Sequence, residues 1–147
     1  MRIRKSPLLM FVSLMMLVLV LGFGVAPAAT PSPAVIKIGA PLAATGPEAR
    51  EGALSKQGYD LWAQTVNARG GISVGDTRYK VEILYYDDQS RPQTSAELTD
   101  RLISQDHVSF LLGPYGSPAT FADAAIAEKY KVPMVEANGA ARKIFTA

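Results

Sequence analysis

The chain has no cysteine in its 147 residues and a single histidine, His107. Without thiols it can make no disulfide, no thiolate metal site and no thioether-linked lipid anchor. One imidazole at the end of a predicted helix, where a cation is favourable, does not supply the ligand set of a zinc centre. Tryptophan is limited to Trp62, and aromatic residues make up 8% of a chain that is 48% hydrophobic. That composition belongs neither to a disordered tail nor to a disulfide scaffold, so a packed core must supply the stability, and the length suffices for about one domain. The phosphate-loop spacings GxxxxGK[ST] and GxGxxG are absent, and Pro118-Ala119 after Ser117 breaks a Gly-x-Ser-x-Gly elbow. No nucleophile, base and acid set is complete, so the sequence predicts no catalytic residues, no cofactor and no enzyme.

A strong charge of one sign is missing as well. Arg2, Arg4 and Lys5 precede the run Leu8 to Val25, in which 15 of 18 residues are apolar, and Ala26-Pro27-Ala28 follows. A basic segment, an apolar segment and a small-x-small site in this order are what signal peptidase reads, so residues 1–28 are expected to be a cleaved Sec-type signal peptide. An uncleaved anchor is the competing reading, because 18 residues approach the roughly 20 that span a bilayer. Removing residues 1–28 takes away three of the 15 basic side chains and none of the 13 acidic ones, leaving 12 against 13. The overall net charge of +2 is therefore a property of the leader, and no basic patch points to nucleic acid. Residues 29–34, with Pro31 and Pro33, read as an extended linker.

From residue 35 onward the sequence alternates strand and helix patterns. Val35 to Pro41 is a β-branched, nearly uncharged run suited to a strand buried on both faces. A loop of small residues, Ala43 to Gly52, leads to a helix ending at Arg69, with Leu54, Leu61, Trp62 and Val66 at helical spacing and Gly70-Gly71 as its left-handed stop. After a turn at Gly75-Asp76, Tyr79 to Tyr86 reads as a second strand near the sheet edge. Ser90, Pro92 and Gln93 read as a capping box for a helix that turns Leu98, Leu102 and Ile103 to the core. Val108 to Gly113 is the third strand, Ser117 the expected N-cap of a helix over Pro118 to Tyr130, and Val132 to Glu136 the fourth strand. A further helix start follows Ala140.

This order predicts an α/β three-layer sandwich, Rossmann-like, with a mostly parallel sheet. Ligands in such sheets bind beyond the carboxyl ends of the strands. The loops Ala43 to Gly52, Asp87 to Pro92, Gly113 to Pro118 and Ala137 to Ala140 lie there. Gly113 to Ser117 offers free amides, a positive helix end and a hydroxyl, which suit a carboxylate; the plainer alternative is an ordinary turn and cap. Glu136 ends a strand at the same edge, where it can meet an ammonium or hydroxyl or simply be solvated. Asp87 and Asp88 read as turn carboxylates more readily than as metal ligands, and Trp62 and Phe121 as core packing.

The stretches IKIGAPLAATGPEAREG, GYDLWAQTVNARGGI, VEILYYDDQSRPQTSAEL, FLLGPYGS and AEKYKVPMVEANGA, in this order, resemble the first lobe of periplasmic type I solute-binding proteins of the branched-chain amino acid and amide group. The resemblance implies a two-lobed clamshell, monomeric when full length, that closes on a small amino acid or amide and delivers it to an ABC permease in the inner membrane. It implies ligand contacts from Tyr115, Gly116 and Ser117, from Glu136, Asn138 and Gly139, and from Glu51 in the first loop. Where relatives carry a hydroxyl after the fourth strand's turn, this chain has Ala140, Ala141, Arg142 and Lys143. Family members run to well over twice this length, which implies an N-terminal fragment covering residues 35–147 of the first lobe. The same lobe also serves as the ectodomain of membrane receptors, and a further apolar run of about 20 residues downstream would mark that alternative. If the leader is processed as the sequence predicts, mass spectrometry of the exported chain will find Ala29 at its N-terminus; a membrane-bound species retaining residues 1–28 would establish the anchor instead.

Overall fold

A computed structural model describes residues 34–136 and 138–146; the leader and nearly all of the linker lie outside these residues. The order is β1 (Ala34–Leu42), α1 (Ala49–Ala68), β2 (Ile72–Val74), β3 (Thr77–Asp87), α2 (Pro92–Ser104), β4 (Phe110–Leu112), α3 (Ser117–Tyr130) and β5 (Met134–Val135), closed by a 3-10 turn at Arg142–Phe145. The strands form one sheet in the order β2-β3-β1-β4-β5. All neighbours are parallel except β2 and β3, which form an antiparallel hairpin around Gly75. The mostly parallel α/β layer expected from the sequence is therefore present.

Alternation along β1 separates the two faces. Ile36 and Ile38 face Tyr59 and Trp62 of α1 across a groove, whereas a Cβ on Gly39 would touch Leu102 of α2 and Leu111 of β4. α1 thus covers one side, and α2 packs with α3 on the other. The core lies on the second side, where Leu102, Ile103, Val108, Leu111 and Ala127 are buried and Leu84, Ile126, Val132 and Met134 pack around them. Complete burial of a residue such as Leu102 contributes roughly 1.5 to 3 kcal/mol.

α1 ends in a Schellman motif, with Gly71 N–H donating to Val66 O and Gly70 N–H to Asn67 O. Its last turn is then stitched to β3, because the Asn67 side chain both accepts from Val81 N–H and donates to Val81 O, each at 2.8 Å. β2 pairs only with residues 77–79 of β3, so the Asn67 amide takes the place of a strand partner just beyond its end.

Several local expectations need correction. β2 escapes a pattern search because Ile72–Val74 is only three residues long. α1 begins at Ala49, inside the expected loop. Leu54, Leu61 and Trp62 do not pack into a core; they are 56%, 66% and 41% exposed. Trp62 instead borders an apolar groove of about 550 Å³ whose far wall is Phe110, Leu112 and Val135 on the sheet. Phe121 is half-buried, with the Lys143 ammonium over its ring. Neither serine caps as expected: Arg91 holds the cap position of α2, Gly116 that of α3, and neither helix has a side-chain cap.

Two glycines should respond oppositely to the same change. Gly71 has φ +92° and a Cβ there would run into the Tyr79 carbonyl, so Gly71→Ala should cost about 2 kcal/mol or more. Gly58, on the exposed side of α1 with open space around it, should gain about 0.5 to 1 kcal/mol on Gly58→Ala. Urea melts of the two variants check both signs.

Candidate functional site at the carboxyl edge of the sheet

The loops at the carboxyl ends of the strands are tied to one another by carboxylates and hydroxyls. Asp87, last in β3, lies in register with Leu42, last in β1. Its carboxylate therefore reaches the loop after β1 and accepts from Ala44 N–H at 3.0 Å, Thr45 N–H at 3.1 Å and Thr45 Oγ1 at 2.7 Å. It also accepts from Gln89 N–H, while buried Asp88 accepts from Ser90 N–H. These two bonds hold Gln89 and Ser90 at φ 57° and 59°, left-handed values that non-glycine residues seldom adopt. Partial burial alone would raise the Asp87 pKa, but the four donors outweigh it and hold the group below the usual carboxylate range. Ser90 then spans the same gap, donating to Thr45 O and accepting from Glu48 N–H.

A second set of ties joins the loops after β4 and β5. Gly116, φ 88°, turns the chain into α3, and Ser117 is the first helical residue. Ser117 Oγ accepts from Ala140 N–H at 3.1 Å and Ala141 N–H at 3.0 Å. Glu136 Oε1 accepts from the amides of Asn138 and Gly139, folding the last loop back on itself. Its Oε2 is buried without a partner against Gly113, where any Cβ would collide with it. Gly139 packs on Thr120 and Ile144.

Between these loops and α1 lies a cavity of about 450 Å³ lined by Glu51, Leu54, Ser55, Gly58, Tyr59, Tyr115 and Asn138. Three of the sequence-derived candidates, Glu51, Tyr115 and Asn138, come together in it. Ser117, Gly116, Glu136 and Gly139 do not line it; they shape the turns that present Tyr115 and Asn138. Asn138 Nδ2 reaches Ser55 Oγ at 3.3 Å, closing the wall toward α1.

Sequence reasoning missed four lining residues, Leu54, Ser55, Gly58 and Tyr59, and among these it is Tyr59 that ties α1 to the sheet. Its hydroxyl donates to Gly113 O at 2.7 Å, fixing the end of β4 to α1. Burial and the nearby Glu136 charge push its pKa up to about 12, so it stays a neutral donor. Its place three positions before Trp62 puts the two on the face of α1 toward the sheet, but its partner is 54 residues away, beyond any local signal. Among the described residues no group of three or more histidine or carboxylate side chains is placed to hold a metal ion. The cavity thus offers a carboxylate, an amide and hydroxyls around apolar walls, a lining of the kind that suits a small polar solute.

Comparison with known proteins fits this geometry. A family model described as periplasmic binding protein matches residues 35–145. The chain belongs to that family. Its members are solute-binding proteins with an extracytoplasmic location. A Leu/Ile/Val-binding protein homologue of Brucella abortus is 34% identical over 113 residues, covering 76% of this chain and 27% of that protein. Among solved structures, the branched-chain amino acid transporter substrate-binding protein of Streptococcus pneumoniae in complex with isoleucine is 30% identical with a TM-score of 0.70, covering 76% of this chain and 31% of that one. A solute-binding protein of a Rhodopseudomonas palustris ABC transporter in complex with 4-hydroxybenzoate is 34% identical with a TM-score of 0.64, covering 76% and 29%. The fold is accordingly that of a first lobe of a type I periplasmic binding protein, and the chain spans less than a third of the length of these relatives.

Asp87→Asn removes the charge that gathers the first two loops. It should cost about 1 kcal/mol at neutral pH, the low end for hydrogen bonds to a charged group because the donors are partly solvated. The folded pKa is depressed, so this contribution is present above the unfolded value and lost as pH falls through the lower folded value. Thermal melts of wild type and Asp87→Asn should therefore differ at pH 7 and converge well below pH 4.

Proposed function

We propose that the chain provides the first lobe of the extracytoplasmic solute-binding component of an ABC transporter, and that its carboxyl-edge cavity receives one side of a branched-chain amino acid or related small amide. Delivery to a permease in the inner membrane, and export by a cleaved signal peptide to the periplasm, complete this reading. The observation that carries it is the convergence of Glu51, Tyr115 and Asn138, from three separate loops or elements, on one cavity at the sheet edge where α/β folds bind ligands.

Ser117 fits the role of carboxylate or carbonyl donor. Its oxygen already accepts two amide hydrogens, so its own O–H is left to donate outward, beside the positive end of α3. The relatives solved with isoleucine and with 4-hydroxybenzoate hold ligands that share one group, a carboxylate. Glu51 stands ready for an ammonium or amide N–H, and Tyr115 and Leu54 for the apolar body. Gly116, Glu136 and Gly139 serve as supports that hold Tyr115, Ser117 and Asn138 in place.

One lobe leaves a bound solute open to water on its other side, whereas pockets normally bury about 70 to 90% of a ligand. Binding by this chain alone should therefore be weaker than micromolar, a range read by amide NMR. Titration with L-isoleucine, L-leucine and 4-hydroxybenzoate at millimolar concentration should shift the signals of Glu51, Tyr59, Tyr115, Ser117 and Asn138 for at least one of them. The absence of shifts at these residues with all three would overturn the reading.

A further inference from the structure

A carboxylate that the solute cavity does not use is enclosed between α2 and α3. Asp123 is 0% exposed, and Ser95 and Thr99, which face it from α2, are 0% exposed as well. Ser95 Oγ donates to Asp123 Oδ2 at 2.8 Å. The other carboxyl oxygen, Oδ1, and the Thr99 hydroxyl have no hydrogen-bond partner in the conventional geometry, although both belong to the same small interface. A buried carboxylate with one unmet oxygen beside an unmet hydroxyl is unfavourable unless a proton joins them.

The surroundings decide which proton inventory is favoured. The charges that act on Asp123 are carboxylates, Asp88 from the turn before α2 and Glu136 from the end of β5. The charged side chains of α2 are engaged elsewhere, Asp100 with Lys129 and Tyr130, Arg101 over the Tyr86 ring, and Glu97 with Gln93. The 3-10 turn that packs on α3 brings Arg142, which is exposed, and Lys143, whose ammonium lies over Phe121. Within α3, Lys129 pairs with Asp100 and Glu128 with Lys131. The groups identified around Asp123 thus supply negative charge and hydroxyls.

We propose that Asp123 is carried in the folded chain as a neutral carboxylic acid whose Oδ1–H donates to Thr99 Oγ1, forming a proton-dependent clasp between α2 and α3. With Ser95 donating to Oδ2, both carboxyl oxygens and the Thr99 hydroxyl are then satisfied. Loss of the proton returns a buried carboxylate to a site that already faces Asp88 and Glu136, and loosens the helix that begins at Ser117. Burial first, opposed by the two hydroxyls and reinforced by the neighbouring carboxylates, raises the Asp123 pKa to about 7. Its unfolded value is near 3.8, so between the two the folded chain holds a proton that the unfolded chain has released. Stability from this group therefore declines as pH rises from about 4 to about 7 and is level above that.

Asp123→Asn reproduces the neutral acid, with an amide N–H toward Thr99 and a carbonyl toward Ser95. Measured on the full chain by denaturant melts, the folding constant of wild type relative to Asp123→Asn should fall about tenfold per pH unit between about 4.5 and 6.5 and then stay constant above about 7.5. A ratio that does not change with pH would overturn the clasp. Carbon-13 titration of the Asp123 carboxyl supplies a second readout that needs no destabilised variant: a midpoint near 7 supports the proposal and one near 4 contradicts it. Thr99→Val tests the second partner. The Thr99 hydroxyl accepts from the acid but donates more strongly to the carboxylate and so opposes the rise, and its removal should raise the Asp123 midpoint; an unchanged or lowered midpoint would show that Thr99 does not engage the carboxyl group, and the clasp as drawn fails.

Discussion

The parallel pairing of β1 with β3, in register from Ala34 against Tyr79 to Leu42 against Asp87, is the constraint on which the ligand edge depends. It brings the ends of two strands 45 residues apart to one line, so that the loop after each begins beside the other. Asp88 N–H extends the pairing by donating to Leu42 O at 2.9 Å, and only then can the Asp87 carboxylate collect the amides of Ala44 and Thr45. A slip of one residue would turn Asp87 to the other face of the sheet and release every one of those bonds. β4 adds to the other side of β1 and places Gly113 where Tyr59 can hold it, which in turn sets the position of Tyr115. The cavity is thus a consequence of strand register, with hydroxyl and carboxylate ties fixing loops whose own sequences would not hold a shape.

Much of this was legible in the residues. The β-branched run from Val35, the apolar run Phe110 to Leu112 and the turn glycines Gly70 and Gly71 locate two strands and a helix end by local chemistry, and the structure has them there. The carboxyl-edge loops and three of the cavity residues, Glu51, Tyr115 and Asn138, were reachable from the strand order and the family resemblance together. What was not legible depends on distant partners. Ser90 and Ser117 carry the side chains of helix caps, but the Glu48 amide and the Ala140 and Ala141 amides compete for the same oxygens and win, and nothing near either serine in the chain announces that. Trp62 and Leu61 have the spacing of core residues, yet whether a helix face is covered depends on what else packs on the sheet, and here the region beside Phe110 and Val135 is open.

Two concave regions among the described residues are of similar size and different character. The sheet-face groove beside Trp62 is lined almost wholly by aliphatic and aromatic side chains, with no set of polar groups to orient a solute. The carboxyl-edge cavity has Glu51, Ser55 and Asn138 on its wall, and Ser117 ties down the loop that carries Asn138. Recognition of a small polar solute requires a few placed donors and acceptors on an otherwise apolar lining, and only the second region supplies them. Volume alone would not have made that choice.

The most direct test of that choice is a crystal structure of the chain grown in a high concentration of L-isoleucine or 4-hydroxybenzoate. The account predicts ligand density between Glu51, Tyr115 and Asn138, with a ligand oxygen within hydrogen-bond distance of Ser117 Oγ. Density confined to the groove beside Trp62, Phe110 and Val135, with the carboxyl-edge cavity filled only by water, would contradict it.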